Sequence, residues 1–307
     1  MKPNAAGDRF VAYHADTVDV ARSLPDDSVD YSVFSPPFAS LYTYSNSPRD
    51  MGNVKDDAEF FAHYAFLVRE QFRVLAPGRL LSIHCMLMPT SKERDGYIGL
   101  RDFRGDLIRA YQAQGFIFHS EVCIWKDPVT AMQRTHALGL LHKTILNDSA
   151  ISRQGLADYV VTMRKPGVNG KPIQHWATDP HTGQTKGHAG AEEFQVDRWQ
   201  RYASPVWDDI NPNDTLQYRS AREHDDERHI CPLQLGVIRR CLDLWSRPDD
   251  VVWSPFMGIG SEGVCALEAG RRFVGAELKK SYFEQAARNL AEAAVVKQHS
   301  LFEGAAQ

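Results

Sequence analysis

The stretch from Asp249 to Glu277 constrains the fold more than any other part of the chain. Asp249-Asp-Val-Val-Trp253 reads as a β-strand and Ser254-Pro-Phe-Met-Gly-Ile-Gly-Ser-Glu-Gly263 as a glycine-rich turn. Val264 to Ala269 reads as a helix, and Gly270-Arg-Arg-Phe-Val-Gly-Ala-Glu277 as a second strand ending on an acid. This order is the logic of a nucleotide-binding βαβ unit, whose strands must be parallel. Gly258 and Gly260 would let backbone approach a ligand closely. Glu277 would sit where ribose hydroxyls need an acceptor. With Gly263 the turn also meets GxGxxG, so a nicotinamide or flavin cofactor is one reading. The proline of Ser254-Pro-Phe is odd for a pyrophosphate loop.

The rest of the chain extends this pattern. Strands are expected at Phe10–His14, Val29–Phe34, Leu80–Cys85, Phe116–Trp125 and Tyr159–Arg164. Helical spacing is expected at Val18–Leu24, Asp57–Leu75, Phe103–Gln114, Leu233–Trp245 and Ser281–Val296, with Ala76-Pro-Gly-Arg as a stop signal. Alternating strands and helices predict an α/β fold with a mostly parallel, doubly wound sheet. Periodicity lapses over 166–228, a stretch rich in Gly, Pro, His, Trp and Asp. Trp176, Trp199 and Trp207 argue for an insertion with its own irregular structure. The expected organisation is 1–165, an insertion at 166–228, and 229–307.

Composition narrows the function only a little. The chain has 307 residues, 43% hydrophobic and 24% charged, an ordinary globular composition that allows one large α/β domain with an insertion, or two domains. No apolar run is long enough to span a bilayer, and MKPNAAGDRF has no signal-peptide core, so a cytoplasmic protein without membrane contact is expected. Cys85, Cys123, Cys231, Cys241 and Cys265 are scattered without a CxxC pair, which argues against a disulfide framework or a zinc site. His175, His181 and His188 lack a carboxylate or Cys at ligand spacing, so no metal is expected. A net charge of -4 gives no global field toward nucleic acid, and any such contact must be a local patch.

Near the N-terminus, the strand Val29–Phe34 runs into Ser35-Pro-Pro-Phe38. Early Pro-Pro-aromatic and late Pro-Phe-x-Gly-x-Gly, in that order, resemble the amino-group DNA methyltransferases in their circularly permuted β arrangement. Ser35-Pro-Pro-Phe38 is similar to the catalytic tetrapeptide, Ser254-Pro-Phe-Met-Gly-Ile-Gly260 to the cofactor loop and Phe273-Val-Gly-Ala-Glu277 to the ribose-binding strand. His229-Ile-Cys-Pro-Leu-Gln234 resembles the segment that closes over the cofactor, and Ala157 to Lys165 the strand before the recognition insertion. Several segments also read like phage and prophage methylases. The resemblance covers most of the chain outside 166–228. It implies a Rossmann-like class I methyltransferase fold and S-adenosylmethionine as cofactor. Asp16, Pro232, Gln234, Pro255, Phe256, Gly258, Gly260, Ser261 and Glu277 are the implied cofactor contacts, although a helix N-cap reads Asp16 equally well. Ser254 replaces the usual Asp. Glu262 is unexpected there, and is read either as facing solvent on the first helical turn, where an acid suits the helix dipole, or as a sign of altered cofactor contacts.

The tetrapeptide has a chemical rationale. An exocyclic base amine is a poor nucleophile because its lone pair is delocalised into the ring. Acceptors aimed at its N–H bonds localise that pair, and the Ser35 hydroxyl and Pro36 carbonyl suit this role. Pro36 and Pro37 fix φ and remove competing donors, and Phe38 can stack on the base. The rest is alignment of amine and methyl donor, with the base flipped from double-stranded DNA. Arg134, His136, His142 and Lys143, in an acid-free stretch from Val129 to Asn147, are the candidate DNA contacts. Arg198, Arg201, Arg219 and Trp207 are candidates for sequence recognition. Serine at the first catalytic position leans toward cytosine N4 over adenine N6 on family pattern. Rival readings are methylation of a protein amide, a non-catalytic DNA-binding relative, and a nicotinamide enzyme. A homodimer, a partner restriction enzyme and the recognition sequence are left open.

Overall fold

The computed structural model describes residues 1–38, 51, 57–130, 142–151, 154–178, 181–187, 192–193, 196–217 and 232–304. Its centre is a nine-stranded sheet. In chain order the strands are β1 (Ala5–Ala6), β2 (Phe10–His14), β3 (Val29–Phe34), β4 (Leu75–Met86), β5 (Ile117–Ile124), β6 (Asp158–Arg164), β7 (Val206–Trp207), β8 (Val251–Ser254) and β9 (Arg272–Glu277). Their spatial order is β1-β2-β9-β8-β3-β4-β6-β5-β7.

The run β2-β9-β8-β3-β4 is parallel throughout. β6 lies antiparallel to both β4 and β5, so the sheet is mixed. Every residue of β3 is buried, as a central strand covered on both faces requires. Helices α1 (Thr17–Ser23), α2 (Asp57–Val74) and α3 (Phe103–Ala113) cover one face, bringing Val20, Phe60, Tyr64, Leu67, Leu107 and Tyr111 into one apolar cluster. Helices α4 (Leu235–Trp245), α5 (Ser261–Glu268) and α6 (Lys280–Gly304) cover the other, with Ile238, Leu242, Cys265, Phe283 and Leu290 inward. The sheet is therefore doubly wound, with its helices on both faces.

Several boundaries differ from expectation for a physical reason. Ala76-Pro-Gly-Arg ends α2, but the chain passes straight into β4 at Leu75, which already pairs with Val29. The register then shifts, and Gly78 takes φ 72°, where a Cβ would come within 2.5 Å of the Asn169 backbone. The expected strand at Leu80 is thus the second half of a longer one. α5 begins at Ser261 rather than Val264, because Gly260 at φ 91° turns the chain directly into the helix.

Within 166–228, the described residues hold a small sheet of His175–Thr178, Thr185–Gly187 and Glu192–Glu193, then a helix at Val196–Tyr202. β7 follows and rejoins the main sheet beside β5. Trp207 is buried there under the Arg240 guanidinium, 5.2 Å from its ring, and is core rather than a recognition residue. Arg198 is paired with Asp243 on α4, Arg201 lies 3.9 Å from Asp209, and Arg219 lies outside the described residues. No helix among the described residues is long and apolar enough to cross a membrane.

Buried charge ties the N-terminal strands to the C-terminal ones. The Arg79 guanidinium, 1% exposed, pairs with Asp250 and donates to the Asp30 carbonyl at 2.6 Å. Asp30 accepts in turn from Val251 N at 2.9 Å and from Lys171 Nζ at 3.0 Å. Removing one partner leaves an uncompensated buried charge, which costs about 3–5 kcal/mol. Arg79→Met is expected to lower the unfolding free energy by about that amount in urea denaturation. A loss under about 1 kcal/mol would mean the pair is solvated rather than structural.

Candidate functional site

In a parallel run all strands point their carboxyl ends to one edge, and there the loops after β2, β3, β8 and β9 converge. They enclose a cavity of about 260 Å³. Ser35, Pro36, Pro37 and Phe38, after β3, line one end. Asp16, Pro232, Gln234, Pro255, Phe256, Gly258, Ser261 and Glu277 line the rest. Gly260 stands behind this wall as the N-cap of α5, its left-handed φ closing the turn.

The turn after β8 is held on all sides. Glu277, at the end of β9, accepts from Gly258 N at 2.9 Å and Lys279 N at 2.8 Å. Met257 N donates to the Ala276 carbonyl at 3.0 Å, and Asn289 of α6 donates to the Ile259 carbonyl at 2.8 Å. Asp16 caps α1, accepting from Val18 N and Asp19 N at 2.9 and 3.3 Å, so it serves the helix and the cavity wall together. On the other side Phe38 meets Phe103 edge-on at 6.1 Å, and Phe256 stacks on Tyr64 at 6.5 Å. Aromatic packing thus stiffens both loops.

The chemistry of the wall suits a polar ligand with an apolar body. Thr17 Oγ1, Gln234 Oε1 and Ser261 Oγ are buried and have no hydrogen-bond partner among the described residues. All three residues line the cavity beside Phe256, Ile259 and Leu233. Buried polar atoms in folded proteins are nearly always paired, so orphans on a cavity wall point to a ligand that pairs them.

Glu262 does not face solvent. It is 4% exposed and lines the cavity, because α5 starts early enough to put it on the helix's inner first turn. Burial pushes its carboxyl up to about 8, and the neighbouring Glu277 charge adds to the rise. The group is therefore protonated in the folded protein at neutral pH.

Sequence reasoning missed a second constellation. His84 near the end of β4, Asp158 at the start of β6 and Lys126 just after β5 all line the cavity. Ser35 Oγ lies 2.7 Å from His84 Nδ1, and His84 Nε2 lies 3.1 Å from Asp158 Oδ2. Lys126 Nζ pairs with the same carboxylate oxygen. Burial would raise the Asp158 carboxyl, but the His84 ring and the Lys126 ammonium outweigh it and hold it below its usual range. A histidine at the polar end of an apolar strand, adjacent to the strand that carries Ser35-Pro-Pro-Phe38, was the available signal. Asp158 and Lys126 depended on a register that no sequence pattern shows.

The candidate DNA contacts are less gathered. His142 and Lys143 are exposed at the start of a short helix, His142–Asn147, and do not line the cavity. Arg134 and His136 lie outside the described residues. Among the described residues no cluster of His, Cys, Asp or Glu could hold a metal ion.

Known proteins share this frame. The model of a DNA methylase family, the N6/N4 methyltransferases, matches residues 29–288. The chain belongs to that family. The type II methyltransferase M.BglII of Bacillus subtilis is 24% identical over 275 residues, which is 89% of this chain and 66% of that one. This chain thus spans just under two thirds of that relative's length. A candidate DNA modification methylase from Thermus thermophilus, solved with S-adenosyl-L-methionine, superposes with a TM-score of 0.67 at 23% identity, covering 92% of this chain and 93% of that one. The PvuII cytosine-N4-specific DNA methyltransferase gives a TM-score of 0.64 at 16% identity, covering 94% and 88%. At these identities the likenesses establish a methyltransferase fold.

The raised Glu262 carboxyl has a stability consequence. The folded state holds this proton up to about pH 8, while the unfolded state releases it in the ordinary carboxylate range. Between those limits the folded state binds more protons, so stability falls as pH rises, by about 1.4 kcal/mol per unit. Glu262→Gln removes that loss. The variant is expected to gain on the wild type steadily from pH 5 to 8 in denaturation of ligand-free protein. Parallel stability curves for the two would show that Glu262 is ionised or solvated.

Proposed function

We propose that this chain transfers a methyl group from S-adenosylmethionine to an exocyclic amine of a base flipped out of double-stranded DNA. The observation that carries this reading is the shared cavity. Ser35-Pro-Pro-Phe38 and the Pro255–Gly260 turn come from distant parts of the chain and meet at one sheet edge. The family membership supports the same reaction class.

The wall fits the methyl donor. Glu277 stands at the strand end where ribose hydroxyls need an acceptor. Thr17, Gln234 and Ser261 offer polar atoms without a partner among the described residues, and Phe256, Ile259 and Leu233 offer apolar surface. Bound there, S-adenosylmethionine supplies a methyl group on a positively charged sulfur. Ser35 and Pro36 accept the two N–H bonds of the target amine, which localises its lone pair. Phe38 stacks on the flipped base. The prolines hold the acceptors rigid, so that positioning supplies much of the rate.

In this reading the chain is a circularly permuted β-class enzyme, since the catalytic loop precedes the cofactor turn. The 166–228 stretch is the target-recognition insertion, and basic residues around 134–143 touch DNA phosphates. Cytosine N4 is the preferred target, because serine opens the tetrapeptide.

The test is methyl transfer. The protein is incubated with S-adenosylmethionine and unmethylated DNA, which is digested to nucleosides and read by mass spectrometry. N4-methylcytosine is the expected product. N6-methyladenine would keep the reaction and correct the base. Ser35→Ala is expected to lower the rate by about 100-fold or more while donor binding, read by calorimetry, stays within a few-fold. No methylated nucleoside from active-site-intact protein would overturn the proposal.

A further inference from the structure

Resting on the amine-methylation reading, the array behind Ser35 has a direction. We infer that His84, backed by Asp158 and Lys126, turns the Ser35 hydroxyl into an acceptor for the target amine and takes up the proton that methylation releases.

Hydrogen-bond bookkeeping fixes the direction. Asp158 is 3% exposed, accepts an ion pair from Lys126, and is a carboxylate that can only accept. His84 Nε2 must therefore carry a proton to bond Asp158 Oδ2 at 3.1 Å. A ring carrying only that proton has a bare Nδ1, which accepts the single Ser35 proton across 2.7 Å. With its proton committed to His84, Ser35 Oγ presents only lone pairs to the cavity. That is what an N–H of the target amine needs. The opposite tautomer would leave Nε2 facing a carboxylate lone pair to lone pair.

The fold makes this geometry. His84 pairs with Val160 in the β4–β6 ladder, and Met86 pairs with Asp158. Because β6 runs antiparallel, its first residue lies at the edge where β4 ends. Ile124 pairs with Asp158 from the other side, which brings Lys126 over the same carboxylate. Phe34 pairs with Ile83, so Ser35, just past the end of β3, stands beside His84 within β4.

The proton balance closes within the array. As the N–C bond forms and the donor's C–S bond breaks, sulfur keeps the electron pair and the amine nitrogen becomes positive. One N–H proton passes to Ser35 Oγ while the Ser35 proton passes to His84 Nδ1. The nitrogen is left neutral and an imidazolium faces Asp158, to be deprotonated later by solvent. Asp158, already the acceptor facing His84 Nε2 at 3.1 Å, keeps that contact when the ring is an imidazolium. Arg104 and Glu121, the charges of α3 and β5 on this side, pair with each other at 3.0 Å. Cys85, next to His84, has its thiol pushed up by burial and stays neutral.

The role is separable from simple support. Nitrogen-15 NMR of histidine-labelled, ligand-free protein reads the tautomer without any turnover. The expected signal for His84 is Nε2–H, and Asp158→Asn, whose amide can donate to Nε2, is expected to invert it. Single-turnover methyl transfer by His84→Gln is expected to fall about 100-fold and to lose the acidic limb of the wild-type pH profile, with donor affinity by calorimetry unchanged. An Nδ1–H tautomer in the wild type overturns the inference. So does a His84→Gln enzyme that keeps the acidic limb, whatever its rate. Should His84→Gln fail to fold, Asp158→Asn, nearly identical in shape, carries both readouts. A wild type that methylates no DNA would sink the reaction reading, and the tautomer would then decide the hydrogen-bond assignment by itself.

Discussion

The pairing of β3 with β8 is the constraint on which everything else depends. It joins the strand that carries Ser35-Pro-Pro-Phe38 to the strand that carries the glycine turn, two segments far apart in the chain. The contact is parallel, with Trp253 opposite Ser32, and Ser32 Oγ donates to the Trp253 carbonyl at 2.7 Å. Asp30 and Arg79 lock the opposite ends of the same strands to Val251 and Asp250. Because the strands are parallel, fixing them at one end aligns the loops at the other. A slip of one residue would turn Ser32 and Trp253 to the wrong faces of a doubly covered sheet.

That alignment explains how one cavity can be split in function. The β8–β9 side is made of glycine backbone, an acid bound to that backbone and polar side-chain oxygens without a partner among the described residues, which suits a nucleoside-bearing ligand. The β3–β4 side is made of rigid prolines, an aromatic ring and a charged array. The antiparallel β6 belongs to this second side. Apart from the short β1 it is the departure from a parallel sheet, and it is what delivers Asp158 to the cavity beside Ser35.

Much of the site is legible in the amino-acid sequence. The glycine turn announces itself through Gly258, Gly260 and Glu277, and the tetrapeptide through its prolines, because each is local chemistry written in adjacent residues. Glu262 departs from expectation because its orientation depends on where α5 begins. That start is set by the φ of Gly260, and shifting it by a few residues rotates an acid from solvent into the cavity. Trp207 departs because an aromatic in an irregular stretch looks available until β7 is seen to pair with β5. The binding chemistry of Arg198 is likewise taken up by α4.

The sequence by itself determined the α/β layering, the two loops and their order, since periodicity, turn residues and short motifs depend only on neighbours in the chain. Tertiary structure alone decided that His84, Asp158 and Lys126 stand behind Ser35. Their meeting rests on strand register and on the direction of β6, and those are settled by burial and backbone pairing between segments far apart in sequence.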